Sequence, residues 1–306
     1  MLQIIIFSFN RAIQLDALLA SLTHYWESPD YQLDVVYNTS SESFEKGYQI
    51  LKDKHANNDR ISFHKEGKND YNYGLKEILN PFNLKRLRKY PYLRNPKTNF
   101  RQLTISLMKK SKADNVVFLT DDSVFVQSVN IPNNIFEWIA DKPTSKQFSL
   151  RIGEGMNEQP SQGITKSNGL LSWNVNDCPK DINWGYLFSV DGHIYNKTCI
   201  IKLFSLYMFC NPNSLEGYIC NMARRKGWFN EAKSFSETRL LSFPINMVQQ
   251  VEDNESMGVS TEMMNDYYLK GYSLEYKMPE KIEYFQVYPE EIYFIKDAER
   301  IVKRIK

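Results

Sequence analysis

Residues 115–126, NVVFLTDDSVFV, constrain the fold of this 306-residue chain more than any other segment. An apolar run ends there in two adjacent carboxylates, Asp121 and Asp122, before apolar residues resume. A short unbroken apolar run between polar residues is typical of a strand buried on both faces inside a parallel sheet. Open α/β sheets bind their ligands at the carboxyl ends of such strands. Two acids at that position repel each other unless a positive group lies between them, and a divalent cation on a diphosphate is the common solution.

The amino-terminal half alternates strand and helix patterns. Residues 3–8, 33–37 and 61–64 are predicted strands, and leucines at helical spacing follow the first of them. A helix over residues 99–112 leads into the acid-bearing strand. This alternation predicts an α/β fold with a mostly parallel central sheet and helices on both faces.

The chain changes character after about residue 130. Residues 148–152 are a predicted strand, residues 153–168 a polar loop, and residues 211–227 a helix that Gly227 ends. At the C-terminus we predict an amphipathic helix from the spacing of its apolar residues, Ile292, Ile295, Ile301, Val302 and Ile305. The fold prediction therefore includes a C-terminal helical extension.

Composition limits the class of protein. A content of 42% hydrophobic and 24% charged residues is that of a soluble folded chain, and a net charge of +2 gives no support for nucleic-acid binding. No stretch approaches 18 apolar residues, and the four cysteines form no CxxC pair, which favours reduced thiols. We expect a cytoplasmic protein, at most peripheral on the inner face of a membrane.

A basic segment over residues 80–97 interrupts the alternation. It interleaves tyrosines and prolines with its cations, Lys85, Arg86, Arg88, Lys89, Arg94 and Lys97. Such a segment can bind a nucleic acid or an anionic lipid head group, which leaves peripheral membrane contact open. The alternative, which we favour, is a solvated excursion over the edge of the sheet.

Three segments carry a family resemblance. FSFNRAIQLDALLASL at residues 7–22, FLTDDSVFV at 118–126 and NPNSLE at 211–216 resemble bacterial family-2-like glycosyltransferases of the glycosyltransferase A fold. The resemblance spans residues 3–270 and is strongest over the first 130. It implies transfer of a sugar from a UDP- or GDP-linked donor to a glycan or lipid-linked acceptor, in cell-surface polysaccharide synthesis. Inversion at the anomeric carbon is the expected outcome, with retention left open.

The resemblance also implies a division of the chain. Residues 1–270 would form the catalytic domain, with a nucleotide-binding half over 1–130 and an acceptor half over 131–270. Residues 271–306 would form the extension that carries the amphipathic helix.

The two strand-end acids correspond to the metal-binding DXD motif of that family. The match falls on Asp121 and Asp122, and Ser123 stands where a third acid often occurs. Asp122 is the expected ligand of Mn²⁺ or Mg²⁺, with Asp121 on the metal or the donor ribose. His193 is the candidate third ligand, although a packed and hydrogen-bonded histidine is the alternative that we favour. An aspartate that only caps a turn is a further alternative.

Donor contacts are expected from the first turn and from later strand ends. The candidate donor-binding residues are Ser8, Phe9, Asn10, Arg11, Tyr37, Asn38, Glu66, Arg101 and Asp121. Arg11 and Arg101 are the side chains expected to reach phosphate oxygens. The simpler alternatives are a helix cap for Asn10 and a surface charge for Arg101.

Catalysis requires a base for the acceptor hydroxyl. Glu216 is our candidate, because NPNSLE resembles the start of the family's acceptor-site helix, although Asn213 and Glu216 also have capping-box spacing. Asp191 is the second catalytic candidate, either binding acceptor hydroxyls or lying in a turn with Gly192. Trp173 and Trp184 could stack on acceptor sugars or fill the core.

Two other functions remain open from the sequence. A non-catalytic glycan- or nucleotide-binding relative is compatible with Ser123 in place of an acid. A sugar nucleotidyltransferase is disfavoured, because SFNRA after the first strand contains no glycine for a phosphate-binding loop.

Overall fold

The apolar runs of the amino-terminal half form the centre of a large sheet. The computed structural model describes residues 1–28, 30–70, 73–180, 182–246 and 259–305. Its strands are β1 (Leu2–Phe9), β2 (Tyr31–Asn38), β3 (Ile61–Lys65), β4 (Asn115–Thr120), β5 (Ser123–Phe125), β6 (Lys146–Ser149), β7 (Thr165–Ser167), β8 (Leu170–Asn174), β9 (His193–Asn196), β10 (Glu231–Phe235), β11 (Leu240–Ser242), β12 (Ser273–Tyr276), β13 (Glu291–Lys296) and β14 (Glu299–Arg304).

Helices connect and cover these strands. They are α1 (Ala12–Tyr25), α2 (Glu42–Lys54), α3 (Leu75–Ile78), α4 (Pro81–Lys89), α5 (Phe100–Lys110), α6 (Asn133–Asp141), α7 (Lys197–Leu206), α8 (Pro212–Lys226) and α9 (Thr261–Leu269). Gly227 ends α8 in the left-handed conformation at φ 67°, as its position in the sequence predicts. Within the described residues, no helix is both long and apolar enough to cross a lipid bilayer.

The described strands form a central sheet in the order β3-β2-β1-β4-β9-β6-β10-β8-β7. β1 pairs in parallel with β2 and with β4, and β6 pairs in parallel with β10. β8 and β9 run against their neighbours. The predicted mixed α/β fold with a mostly parallel central sheet is therefore confirmed.

Alternating side chains of the central strands pack on opposite faces of the sheet. Ile4 and Ile6 join the cluster that contains α1, whereas Ile5 and Phe7 join the cluster that contains α5. Because successive residues of a strand point to opposite faces, one run of isoleucines supplies both cores. Helices therefore cover both faces, as predicted.

The register between β1 and β4 places the polar residues that follow them side by side. Phe7 pairs with Thr120, and the backbone N–H of Asp121 donates to the Phe7 carbonyl at 3.2 Å. The end of the first strand and the two acids after the fourth thus lie at the same edge of the sheet.

The predicted C-terminal helix is wrong. The apolar residues assigned to it lie on or beside β13 and β14, which pair antiparallel with each other, and β13 also pairs with β12. Ile292 and Phe294 are fully buried at alternate positions of β13, in the same cluster as α1. Asp297 turns the chain between the two strands with φ at 51°. Ile292 and Ile295 are three residues apart, and Ile301 and Ile305 are four residues apart, so the sequence resembles an amphipathic helix.

Truncating one side chain on each face of the C-terminal sheet tests whether this segment forms a pair of strands or a helix. We expect Ile292→Ala to lower the free energy of unfolding by about 2–5 kcal/mol, because Ile292 is fully buried. Val302→Ala, at a side chain that is 51% exposed, should cost under about 1 kcal/mol. Urea unfolding of both variants measures the difference, and equal costs would contradict this packing.

Candidate active site

Asp121 lies at the point where β1 and β4 end, and the first turn of the chain binds it. Its Oδ2 accepts hydrogen bonds from Ser8 Oγ at 2.8 Å and from the Phe9 backbone N–H at 3.0 Å. Asp121 is 4% exposed, and burial raises its pKa to about 6 although Arg11 opposes the shift. The predicted donor loop and the predicted acid are therefore in direct contact.

Arg11 occupies the space between the two acids. Its Nη1 lies 3.0 Å from Asp121 Oδ1 and 3.3 Å from Asp122 Oδ2, and its Nη2 donates to the Asn246 carbonyl. The guanidinium is itself buried, with 8% of the residue exposed. Arg11, the residue immediately before α1, therefore supplies the positive charge that the two adjacent acids require.

Thr120 links the acid pair to the second half of the chain. Its Oγ1 lies 2.8 Å from Asp122 Oδ1 and 2.7 Å from Asp191 Oδ1. One hydroxyl has one proton, so both contacts are hydrogen bonds only when one of the two carboxyl groups is protonated. Burial raises the pKa of Asp191, and the charge of Asp122 adds to that effect while Arg151 opposes it.

Glu216 approaches the same place from the first turns of α8. The cap of this helix uses Asn211, whose Oδ1 accepts from the Ser214 N–H at 2.8 Å, and Ser214, whose Oγ accepts from the Asn211 N–H at 3.2 Å. The alternative capping box through Asn213 and Glu216 is therefore not formed, and the Glu216 carboxylate faces the site.

The Glu216 carboxylate lies beside Asp191 in the chain's second half. Its Oε1 accepts from the backbone N–H of Val190 at 3.4 Å, one residue before Asp191. Burial, followed by the negative charge of Asp191, raises the pKa of Glu216 to about 7. Asp191 therefore connects to the acid pair through Thr120, and Glu216 lies next to Asp191 through Val190.

Arg151 belongs to this cluster and is absent from the sequence prediction. It lies two residues after β6, is 2% exposed, and its Nη1 is 3.9 Å from Asp191 Oδ2. Its guanidinium lies 4.5 Å from the ring centre of Phe285. Among the described residues, its Nε and Nη2 have no hydrogen-bond acceptor, which is costly for a buried cation. Its position at a strand end was the available signal, but a single arginine after a short strand is weak evidence.

Four predicted donor residues lie at neighbouring strand ends and bind the protein itself. Asn10, with φ at 57°, exchanges hydrogen bonds with Ser40. Tyr37 is buried, stacks on Tyr48 and donates to Glu45 at 3.0 Å. The side chains of Asn38 and Glu66 are partly buried beside it. Asn10, Tyr37 and Asn38 therefore stabilise the loop that follows β1. Burial raises the pKa of the Glu66 carboxyl group.

Arg101 is a correction to the predicted donor set. Its guanidinium donates to the carbonyls of Phe204 and Tyr207 at 3.2 and 2.9 Å and forms an ion pair with Glu77 at 2.8 Å. An arginine that reaches the C-terminal end of a helix satisfies carbonyls that lack intrahelical partners. The residue therefore holds the C-terminus of α7 and does not face a diphosphate.

Trp173 and Trp184 are also corrected. They are 7% and 0% exposed, their ring centres are 4.9 Å apart, and Trp173 Nε1 donates to the Trp184 carbonyl at 3.0 Å. No ring face is open to a sugar, so the structure assigns both to the core, where large aromatic side chains bury the most area.

His193 does not reach the acid pair as a metal ligand. Its ring nitrogens lie 2.7 Å from Gln147 Oε1 and 3.0 Å from Ser149 Oγ, and burial lowers its pKa well below the ordinary value. Both oxygens of Asp121 are already hydrogen-bonded. Across the described ranges, no three His, Cys, Asp or Glu side chains are arranged to hold a metal ion. As arranged, Asp121, Asp122 and His193 do not fit one.

Comparisons with known proteins give distant structural similarities. No family model matches the chain, and no curated protein matches it. The crystal structure of TarS from S. aureus is similar at 13% identity over 79% of this chain and 36% of that one, with a TM-score of 0.45. TarS 1-349 in complex with UDP-GlcNAc matches at 15% identity over 85% and 61%, with a TM-score of 0.43.

A third similar structure is the mannosyltransferase PcManGT from Pyrobaculum calidifontis in complex with GDP-Man and Mn²⁺. It matches at 14% identity over 50% of this chain and 36% of that one, with a TM-score of 0.29. The chain thus spans less than two thirds of the length of each of these structures. At such similarity, function has to be inferred from the chain's own residues.

The raised pKa of Glu216 predicts a pH dependence of stability. Between its ordinary value of 4.5 and about 7, the folded protein holds this proton more tightly than the unfolded chain. The free energy of unfolding therefore loses a contribution as the pH rises through this interval. We expect Glu216→Gln to be more stable than the parent protein above pH 7 by about 1–2 kcal/mol, with no gain near pH 4.

Urea unfolding across this pH range measures the effect. The exposed Glu280 provides the control, since Glu280→Gln should leave the profile unchanged. A Glu216→Gln profile parallel to that of the parent protein would show that the carboxylate carries no such penalty.

Proposed function

We propose that this chain is a glycosyltransferase that moves a sugar from a nucleotide-sugar donor to a hydroxyl acceptor. The observation that carries the proposal is the bridge from Asp122 through Thr120 to Asp191, at the carboxyl edge of a mostly parallel sheet. It joins acids from two distant segments in one cluster with Arg11 and Arg151. Clusters of buried acids with shifted pKa values are typical of catalytic sites.

Glu216 is the proposed base. In the inverting reaction, the acceptor oxygen bonds to the anomeric carbon, the bond from that carbon to the diphosphate oxygen breaks, and the acceptor proton passes to the Glu216 carboxylate. A base works best when its pKa is near the working pH, which fits the value of about 7 at Glu216. Asp191, next to it, would bind acceptor hydroxyls, as expected from the sequence.

The donor side would consist of the first turn and the two arginines. The Phe9 side chain is 36% exposed beside Asp121 and offers a ring face for the nucleotide. The buried charge of Arg151, whose Nε and Nη2 have no hydrogen-bond partner among the described residues, would favour an anionic diphosphate at this edge of the sheet. A UDP- or GDP-linked hexose, a glycan or lipid-linked acceptor, and a role in bacterial cell-surface polysaccharide synthesis belong to this proposal.

Replacing the proposed base should separate turnover from donor binding. We expect Glu216→Gln to lower kcat by about 100- to 10,000-fold while donor affinity stays within about threefold, because the amide cannot take the acceptor proton. In the parent protein, kcat/KM should rise with pH around the pKa of about 7, and the residual rate of the variant should lack that rise. Transfer assays with a panel of UDP- and GDP-sugars measure both quantities.

The control for this kinetic experiment is Glu280→Gln, which should keep the parent rate and pH profile. An equal fall of affinity and rate in Glu216→Gln would make Glu216 a structural residue.

The divalent metal expected from the sequence stays a prediction. The direction in which one substitution changes nucleotide affinity tests it. If a cation accompanies the donor diphosphate, Asp122→Asn should weaken nucleotide binding by about tenfold or more in Mn²⁺. With chelator instead, removing a carboxylate near an anion should leave the affinity equal or higher. Calorimetry with UDP and GDP under both conditions measures the difference.

Asp114→Asn is the matched control for Asp122→Asn. Asp114 is exposed and precedes β4, at the opposite edge of the sheet from Asp122. Asp114→Asn should leave the nucleotide affinity unchanged both in Mn²⁺ and with chelator. The same sign of effect in Mn²⁺ and chelator would contradict metal use at Asp122, and the absence of any nucleotide binding would contradict the proposed function.

A further inference from the structure

Exposed apolar side chains concentrate on one surface of the molecule. In the part of the chain that the structure describes, thirteen large hydrophobic side chains are exposed. Six of them belong to residues 75–92 and to the end of α7, segments that hydrogen bonds from Asn80 and Asn83 join. These six are Leu75, Ile78, Leu79, Leu84, Tyr92 and Leu206. Leu75 and Leu79 are 75% and 62% exposed. Such clustering differs from the scattered apolar residues that every protein surface has.

The same surface carries cations without acidic partners. Five exposed basic residues belong to α4 and the turn that follows it: Lys85, Arg88, Lys89, Arg94 and Lys97. None of these five lies within 4.0 Å of a carboxylate of the described residues. We call these cations, together with the six apolar side chains, the basic apolar surface.

Helix geometry mixes the two kinds of side chain. Leu84 and Arg88, like Lys85 and Lys89, are four residues apart on the exposed side of α4, so they form one outward face. This face presents a leucine among three cations.

The exposed leucines do not result from poor packing, because α4 has a second, buried face. Asn83 Nδ2 donates to the carbonyls of Glu77 at 2.8 Å and Leu206 at 3.2 Å. Leu87 packs with Leu93 and Met208. The segment is thus folded onto α3 and α7 through one face, while the other face is exposed to solvent.

We propose that the basic apolar surface docks onto an anionic lipid bilayer. Leucines at the boundary between head groups and acyl chains, with lysine and arginine on the lipid phosphates, are the side chains that interfacial binding uses. Nucleic acid would match the cations but leave the leucines in water, so the apolar half of the surface selects lipid. The proposal thus takes up the lipid alternative of the sequence analysis in place of the solvated excursion favoured there.

Contacts behind the surface link it to the candidate site. Arg86 Nη2 donates to the Ser214 carbonyl at 2.7 Å, and its guanidinium lies 4.0 Å from the ring centre of Tyr218. Both partners belong to α8, which carries Glu216. If the proposed function holds, docking places the acceptor side of the cleft near a lipid-linked substrate, but bilayer binding itself does not depend on that function.

Vesicle flotation of the whole chain tests the charged half of the surface. The protein should float with phosphatidylcholine vesicles that contain phosphatidylglycerol and not with pure phosphatidylcholine. Neutralising Arg88 and Lys89 together, as Arg88→Gln with Lys89→Gln, should lower the partition coefficient by about 25-fold, since each cation near an anionic surface contributes about fivefold.

The matched control for this pair is Lys109→Gln with Lys110→Gln. These lysines are exposed in the last turn of α5, as Arg88 and Lys89 are in the last turn of α4, but they lie where the chain enters β4. The control should stay within about twofold of the parent protein, because these lysines lie outside the proposed surface. An equal loss in both pairs would show a general charge effect and overturn the proposal.

A second pair tests the apolar half. Leu75→Gln with Leu79→Gln should weaken partitioning by about tenfold or more, whereas Met278→Gln, at a side chain that is 46% exposed elsewhere, should not. Unchanged melting temperatures exclude unfolding as the cause. Failure of the parent protein to float with anionic vesicles, or unaffected flotation of the leucine variant, would each overturn lipid docking. Flotation needs no turnover, so it can fail while nucleotide binding succeeds.

Discussion

The contact of Arg11 with Asp121 and Asp122 is the interaction on which the candidate site depends. Two carboxylates at the end of a buried strand are stable only beside a positive charge, because burial removes the solvent that would otherwise separate them. Arg11 provides that charge at 3.0 and 3.3 Å and also donates to the carbonyl of Asn246. The turn after β1, the acids after β4 and a distant loop are therefore fixed by one guanidinium.

The elements that carry the fold were predictable because their signals are local. Residues 3–8 and 115–120 are short apolar runs next to helical patterns, and this combination is typical of parallel strands buried on both faces. The register of β1 with β4 then brings Ser8 and Phe9 to Asp121, which made these site residues predictable too. The C-terminal sheet was missed, because the periodicity of Ile292 and Ile295 fits a helix unless the turn at Asp297 is recognised.

The candidate ligand-binding side chains that the structure places inside the fold share a physical cause. Trp173, Trp184, His193 and Arg101 are residue types that bind ligands in many proteins. Here Trp173, His193 and Arg101 hydrogen-bond to neighbours inside the fold, and the Trp184 ring is fully buried. Residue type does not show whether a polar atom finds its partner within the chain, since that depends on contacts between distant segments. Arg151 is the opposite case. It is a buried cation, and only the three-dimensional structure shows that two of its nitrogens lack hydrogen-bond acceptors among the described residues.

Charge balance ties the donor and acceptor sides of the cleft together. If Asp121, Asp122, Asp191 and Glu216 were all ionised, their charge would exceed that of Arg11 and Arg151 by two, and a diphosphate would add to the excess. Burial raises the pKa values of Asp191 and Glu216, and the neighbouring carboxylates add to the shift, which favours retention of protons by the cluster. An uncompensated anion would raise these pKa values further and keep Glu216 protonated, so a base at this position can work only when the charge of the donor is neutralised as it binds. Arg151, which lowers the pKa of both Asp191 and Glu216, favours the form of Glu216 that can accept a proton.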